Sequence, residues 1–359
     1  MMPFSNSMHI DVLKVMIPAV LTFFLGIMIT PAFTNFFYRH KMWKRNSRVN
    51  NPDITNDHFA KLHNEKAELS TPRIGGMIIW VSVILTSIII FLISHIFPSD
   101  IAHKLNFLSR NQTIIPLATL ILGAIIGLID DLLQIFGTGI YARDPLFYRK
   151  IKVVCITFIG LAISYWFYAK LGHTAVHVPF WRDIELGLWF IPSFIIVMLA
   201  VFSTSVIDGM DGLSGGVLSI IFAAYAVIAF AHNQINISAF CAVLAGGTLA
   251  FLWFNIPPAR FYIGETGMLS LTMTLSVIAF LTNAVLVLPI IAFPLVLTSL
   301  SVIIQMIAYK FFKKRRVFKV APLHHHFEAL GWSREKVVMR YWIISLIFAI
   351  VGVIVALVS

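Results

Sequence analysis

Five clusters of polar residues in this 359-residue chain could do chemistry. Asp130 and Asp131 are adjacent carboxylates at the end of an apolar run. Like charges side by side repel, so the pair implies a cation between them, for which Mg²⁺ is suited, or a proton held on one of them. Further on, Ser205 to Gly216 carries Asp208 and Asp211 among four glycines, again between apolar runs. Carboxylates three apart share one face of a helix start, and glycines let backbone N–H groups approach a ligand closely. Glu265 stands between Gly264 and Gly267, behind Asn255, the pair Pro257-Pro258 and Tyr262. His324, His325 and His326 follow a basic run, and Arg73 precedes the pair Gly75-Gly76.

Each cluster also has a plainer reading. The glycine stretch could be a turn whose acids cap the next helix. The acid pair could be a solvated helix end, although a charge at mid-membrane would cost roughly 2.5–3.5 kcal/mol. Glu265 could simply favour a helix N-terminus, by up to about 1 kcal/mol. Three consecutive histidines cannot all face one metal from a regular helix, and no cysteine is near, so a structural zinc site is not expected. They read better as donors to phosphate or sugar groups. The Gly75-Gly76 pair allows close helix packing, and Arg73 could reach phosphate from the same place.

The elements that must position these residues are membrane spans. The chain is 59% hydrophobic and 12% charged, against about 25% charged in a soluble domain. It reads as all-α, a polytopic integral membrane protein forming one domain over 1–359. About ten segments are long enough to cross, at 12–37, 74–97, 112–130, 150–170, 187–205, 213–232, 236–255, 265–283, 285–311 and 336–358. The first is expected to be retained, since no cleavage pattern follows it. Pro289 and Pro294 predict a kink or break in the ninth. Cys155 and Cys241 lie inside apolar runs and read as packing residues.

Of the 27 Lys and Arg, all but Lys14, Lys104, Arg110, Lys170 and Arg182 fall in or beside the loops after the odd-numbered spans. By the positive-inside rule those loops are cytoplasmic and both termini lie outside. The net charge of +11 then belongs to the inner surface, where topology and anionic-lipid contact account for part of the Lys313–Arg316 run. Nucleic acid is not an expected partner, because the basic residues bound membrane spans. Every polar cluster falls on that same side, which predicts an active site facing the cytoplasm. On the other side, the loop with Pro179 and Trp181 predicts a small hairpin, and His173 and His177 receive no role.

The segments from Thr71 to Gly76, Gly127 to Asp131, Asp208 to Gly216, Phe251 to Gly267 and Ala321 to Ser345 together resemble the phospho-N-acetylmuramoyl-pentapeptide transferase family of peptidoglycan synthesis, in its motif order. The resemblance runs over nearly the whole chain from Thr71. Related transferases that load N-acetylglucosamine-1-phosphate share the acids but carry a different histidine loop. The resemblance implies a ten-span enzyme of the bacterial cytoplasmic membrane, dimeric and dependent on Mg²⁺. It implies transfer of phospho-MurNAc-pentapeptide from UDP-MurNAc-pentapeptide to undecaprenyl phosphate, giving lipid I and UMP. By position, it implies that Asp130 and Asp131 act at the acceptor phosphate or the metal, and that Glu265 binds the metal. It further implies that Asp208, Gly209, Met210 and Asp211 hold the nucleoside, with Asn255 near and Tyr262 beside uracil. His324, His325 and His326 would lie near the phosphates and sugar.

The chain departs from the family pattern at four places. Gln134 replaces a lysine, Ser205 an asparagine and Glu265 an aspartate, and the lysine usual just before Thr71-Pro72 has no nearer match than Lys66. Other basic residues are expected to compensate. A transporter is the competing class, since intramembrane acids and a proline-broken span occur there too. Acids gathered at one interface, with no repeat pairing the two halves, argue against it.

Overall fold

A computed structural model describes residues 6–44, 69–97, 99–109, 112–137, 145–312 and 316–359. Lys66, Arg110 and the Lys313–Arg315 part of the basic run lie outside the described residues. In chain order the helices are α1 (Asn6–Arg39), α2 (Met77–Ile96), the short α3 (Asp100–Leu105), α4 (Ile114–Phe136) and α5 (Pro145–Trp166). After these come α6 (Phe190–Ser203), α7 (Leu213–Ala231), α8 (Ile235–Asn255), α9 (Gly264–Leu281), the one-turn α10 (Leu288–Ile291), α11 (Phe293–Phe311), α12 (Leu323–Ala329) and α13 (Arg334–Val358). Ten of these elements are long and apolar enough to cross a membrane, as the sequence predicts.

Helix α9 is the axis of the bundle. It is the least apolar of the ten spans and the most deeply buried, with α4, α6 and α2 packed around it. Small and hydroxyl residues explain both properties, because they let backbones approach while their hydroxyls bond within the helix. Ser270, Thr272, Thr274 and Ser276 each donate to a carbonyl three or four residues earlier. Gly123 and Gly127 of α4 face α9 so closely that a Cβ on Gly127 would stand 2.2 Å from the Glu265 carbonyl oxygen. That contact fixes where α4 delivers its acids.

The expectation that the acid pair ends its span is corrected. Leu132, Leu133, Ile135 and Phe136 continue the apolar pattern, so α4 runs on to Gly137, whose φ of 60° closes the helix. Asp130 and Asp131 are therefore interior to a helix and buried. The proline-rich ninth span does break, at Ala292 between α10 and α11. Away from the motifs, Ala175–His177 and Asp183–Glu185 form the expected hairpin, an antiparallel pair with Val176 opposite Ile184. His177 Nδ1 lies 2.8 Å from Asp183 Oδ1 there.

Candidate functional site

Two groups of polar side chains form at neighbouring helix ends. The first is centred on Lys152, in the second turn of α5. Its ammonium lies 2.7 Å from Asp130 Oδ2 and 3.1 Å from Glu265 Oε2, so one cation draws two carboxylates from different helices together. Gln134, one turn beyond Asp130, donates to Asp130 Oδ1 at 3.1 Å. Asp131 faces another way. It accepts from Glu265 N at 3.1 Å and Thr266 N at 2.9 Å, and so binds both of its oxygens to the first turn of α9. A carboxylate there satisfies orphan N–H groups and meets the positive end of the helix dipole. Glu265 is thereby held by its own backbone while its side chain stays with Lys152.

Arg73 closes this group. The segment 72–76 runs alongside Tyr262 and Ile263: Tyr262 N donates to Pro72 O at 2.8 Å, Gly75 N to Tyr262 O at 2.9 Å and Gly76 N to Ile263 O at 2.9 Å. This ladder places Arg73, 8% exposed, close enough for its charge to act on Asp131. Among the described residues its Nε has no hydrogen-bond partner. Gly264 makes the crossing possible, since its φ is 66° and a Cβ there would strike the Arg73 carbonyl. The Gly75-Gly76 pair packs tightly as the sequence predicts, with Gly76 against Gly267.

The second group surrounds the turn at 208–212, between the 3₁₀ segment Thr204–Ile207 and α7. Neither acid caps α7, whose N-cap, Gly212, has no side-chain cap. Asp208 Oδ1 accepts from Ser214 Oγ at 3.2 Å, and Asp211 Oδ2 accepts from Ala259 N at 3.2 Å, so the acids diverge. Asn255 ties the turn to the following loop: its Oδ1 accepts from Gly212 N at 2.9 Å and its Nδ2 donates to Phe261 O at 2.8 Å. Met210 is buried and Gly209 is exposed. Ser205 donates its hydroxyl to Phe202 O at 2.8 Å, inside the chain's own turn.

The histidines meet this turn unequally. His324 is fully buried, both ring nitrogens lack hydrogen bonds among the described residues, and a Cβ on Gly209 would lie 2.4 Å from its Nε2. Burial, with His325 adding to it, holds its pKa well below the ordinary value, so it is neutral. His325 Nε2 is also directed at Gly209, and its Nδ1 lies 3.0 Å from Glu328 Oε2. His326 turns back to accept from Lys319 N at 3.1 Å and does not join the other two. Tyr262 links the two groups. Burial, and next the charge of Asp211, raise its hydroxyl pKa, while Arg73 lowers it from the other side.

A family model described as glycosyl transferase family 4 matches residues 113–283. A phospho-N-acetylmuramoyl-pentapeptide-transferase of Chloroflexus aggregans is 34% identical over 363 residues, covering 97% of this chain and 91% of its own. The chain belongs to the phospho-N-acetylmuramoyl-pentapeptide-transferase family. Proteins of the same name from a Geobacillus strain and from Bacillus anthracis are each 32% identical, over 95% and 94% of this chain and 97% and 96% of theirs.

Sequence reasoning placed the acids on one side but passed over Lys152 and Glu328. The sequence signal for Lys152 is its place inside the predicted span 150–170, and the structure shows which face it takes. On α5 it falls one turn before Ile156, which is wholly buried, whereas Arg149 and Lys150 are exposed. A lysine on the inward stripe of a span needs an acidic partner. It also supplies a cation beside the acid pair, where Gln134 leaves one missing. Among the described residues no group of three or more His, Cys, Asp or Glu side chains gathers around one point to hold a metal.

Proposed function

We propose that this protein transfers phospho-MurNAc-pentapeptide from UDP-MurNAc-pentapeptide to undecaprenyl phosphate, releasing UMP and forming lipid I at the cytoplasmic face of a bacterial membrane. The observation that carries the reading is the pairing of the Lys152–Asp130–Glu265 cluster with the glycine turn under His324 and His325, in a chain of this family. An oxygen of the acceptor phosphate attacks the phosphorus bonded to the sugar. The bond to the uridylate oxygen breaks, and UMP leaves with that electron pair. A phosphate is already nucleophilic near neutral pH, so the work is positioning and charge neutralisation.

Glu265 and Asp130 would offer Mg²⁺ the hard oxygen donors it takes, and their convergence on one ammonium supports a site that favours a cation, whereas Asp131, expected at the metal with Glu265, gives both oxygens to backbone N–H groups of α9. A bound Mg²⁺ would neutralise charge on the diphosphate. Asp131 fixes the backbone of Glu265, and Lys152 and Arg73 share the load of two polyanions. Asp208 and Asp211 hold the uridine end with Tyr262 beside the base, on a floor that Asn255 and Met210 keep in shape. His325 serves the phosphates and sugar, and buried His324 supports the turn.

The test is UMP release by the purified protein, given UDP-MurNAc-pentapeptide, a polyprenyl phosphate and Mg²⁺. The reading expects release that requires all three. Activity with UDP-GlcNAc alone would assign the sister transferases, and none with either sugar would return the transporter class.

A further inference from the structure

Glu328 is a half-buried residue, its carboxylate turned inward, to which the reading above gives no part. Its side chain is 8% exposed, at the end of the short helix α12, and it meets a different partner at each oxygen. Oε2 is 3.0 Å from His325 Nδ1, and Oε1 accepts from Arg334 Nε at 2.6 Å, in the first turn of α13. Burial alone would raise its pKa, but the hydrogen bonds from His325 and Arg334 hold it below the ordinary carboxylate range, so it is ionised at neutral pH. The charge of Arg334 also reaches Asp211 in the glycine turn. The carboxylate, the arginine and the imidazole thus form a chain from α13 to the turn.

We infer that Glu328 is a positioning residue for the transfer, acting through His325 by keeping the proton on Nδ1 and the Nε2 edge toward the glycine turn. The inference rests on the proposed transfer. A carboxylate accepts and cannot donate, so the ring nitrogen facing Glu328 must carry the hydrogen. The opposite nitrogen is then fixed as the one presented to a ligand. When a diphosphate arrives, His325 can donate from Nε2 only by becoming the imidazolium, and the carboxylate behind it stabilises that cation. Arg334 holds Glu328 from the other side, at the oxygen that His325 does not meet.

The test reads the tautomer and the kinetics separately. In histidine-labelled protein in lipid nanodiscs, the ¹⁵N resonances of His325, assigned by their loss in His325→Gln, should show Nδ1 protonated. In Glu328→Leu that protonation should be lost, and kcat for UMP release should fall about tenfold with KM for the UDP-sugar within about twofold. Glu328→Asp should restore the tautomer and much of kcat. Glu328→Leu in a His325→Ala background should cost little more than His325→Ala alone. A wild-type ring with bare Nδ1 overturns the inference. So does a Glu328→Leu protein that melts earlier but keeps the tautomer and kcat, because Glu328 would then be only a strut. Absence of UMP release from the wild type would instead defeat the transfer reading, with the tautomer still deciding on Glu328.

Discussion

Around Lys152 the protein gathers charge, bringing Asp130 and Glu265 within 3.1 Å of one ammonium and laying Asp131 against a helix N-terminus with Arg73 beside it. Around Gly209 it disperses charge: Asp208 and Asp211 turn apart onto a hydroxyl and a backbone N–H, and the nearest histidine is kept neutral. The first arrangement suits moving phosphoryl charge and tolerates no missing partner. The second suits recognising a shape, and it should yield gradually.

The largest effect is expected from Lys152→Met, which leaves two carboxylates facing each other without their cation. Steady-state UMP release should fall at least about 100-fold. A loss under about fivefold would show that the cluster is only structural. Next comes Glu265→Gln, which keeps shape and removes charge. Turnover should drop about 100-fold, and a Mg²⁺ titration should need much more metal for what remains. Full Mg²⁺-dependent turnover in that variant would remove Glu265 from the metal site.

In the second region effects should be smaller and fall on binding. Gly209→Ala places a Cβ 2.4 Å from His324 Nε2 and 3.0 Å from His325 Nε2, so the turn must shift. Affinity for the UDP-sugar should weaken roughly tenfold to thirtyfold by calorimetry, about 1.4–2 kcal/mol, with turnover at saturation changed less. The smallest effect concerns pH. Burial raises the Asp211 pKa above 3.8, against the opposing Ala259 N–H and Arg334. The folded state therefore holds that proton more tightly than the unfolded chain. Its contribution to stability is complete below pH 3.8 and is lost as pH rises through the folded pKa. Asp211→Asn should flatten that part of a melting-temperature profile, and an unchanged slope would remove Asp211 as its source.

The two regions were not equally legible in the sequence. Spans, the break near Pro294 and the tight glycines followed from apolar length and residue size, which are local properties. The gathering of Asp130, Asp131, Glu265 and Arg73 was also foreseeable in outline, because buried charge must be compensated and all four sit at one end of their spans. Lys152 is marked in the sequence only as a lysine within an apolar span that needs an acid, not as the partner of Asp130. Lys152 is brought in by α5 packing beside α6, and nothing near Asp130 in the chain names it. The divergence of His326 was hidden for a similar reason, since Lys319 N reaches its ring only once the loop before α12 has folded. Helix α4 runs past the end that an uncompensated acid pair predicts, because backbone N–H groups of α9 and the Lys152 ammonium satisfy both carboxylates inside the helix.

The division of labour is tested most directly by the dissociation constant for UDP-MurNAc-pentapeptide in the absence of lipid acceptor, measured for Asp211→Asn and Lys152→Met beside the wild type. Asp211→Asn should bind about tenfold more weakly, and Lys152→Met should stay within about threefold of the wild type although it no longer turns over. The reverse order, with Lys152→Met losing the nucleotide sugar and Asp211→Asn keeping it, would contradict the account.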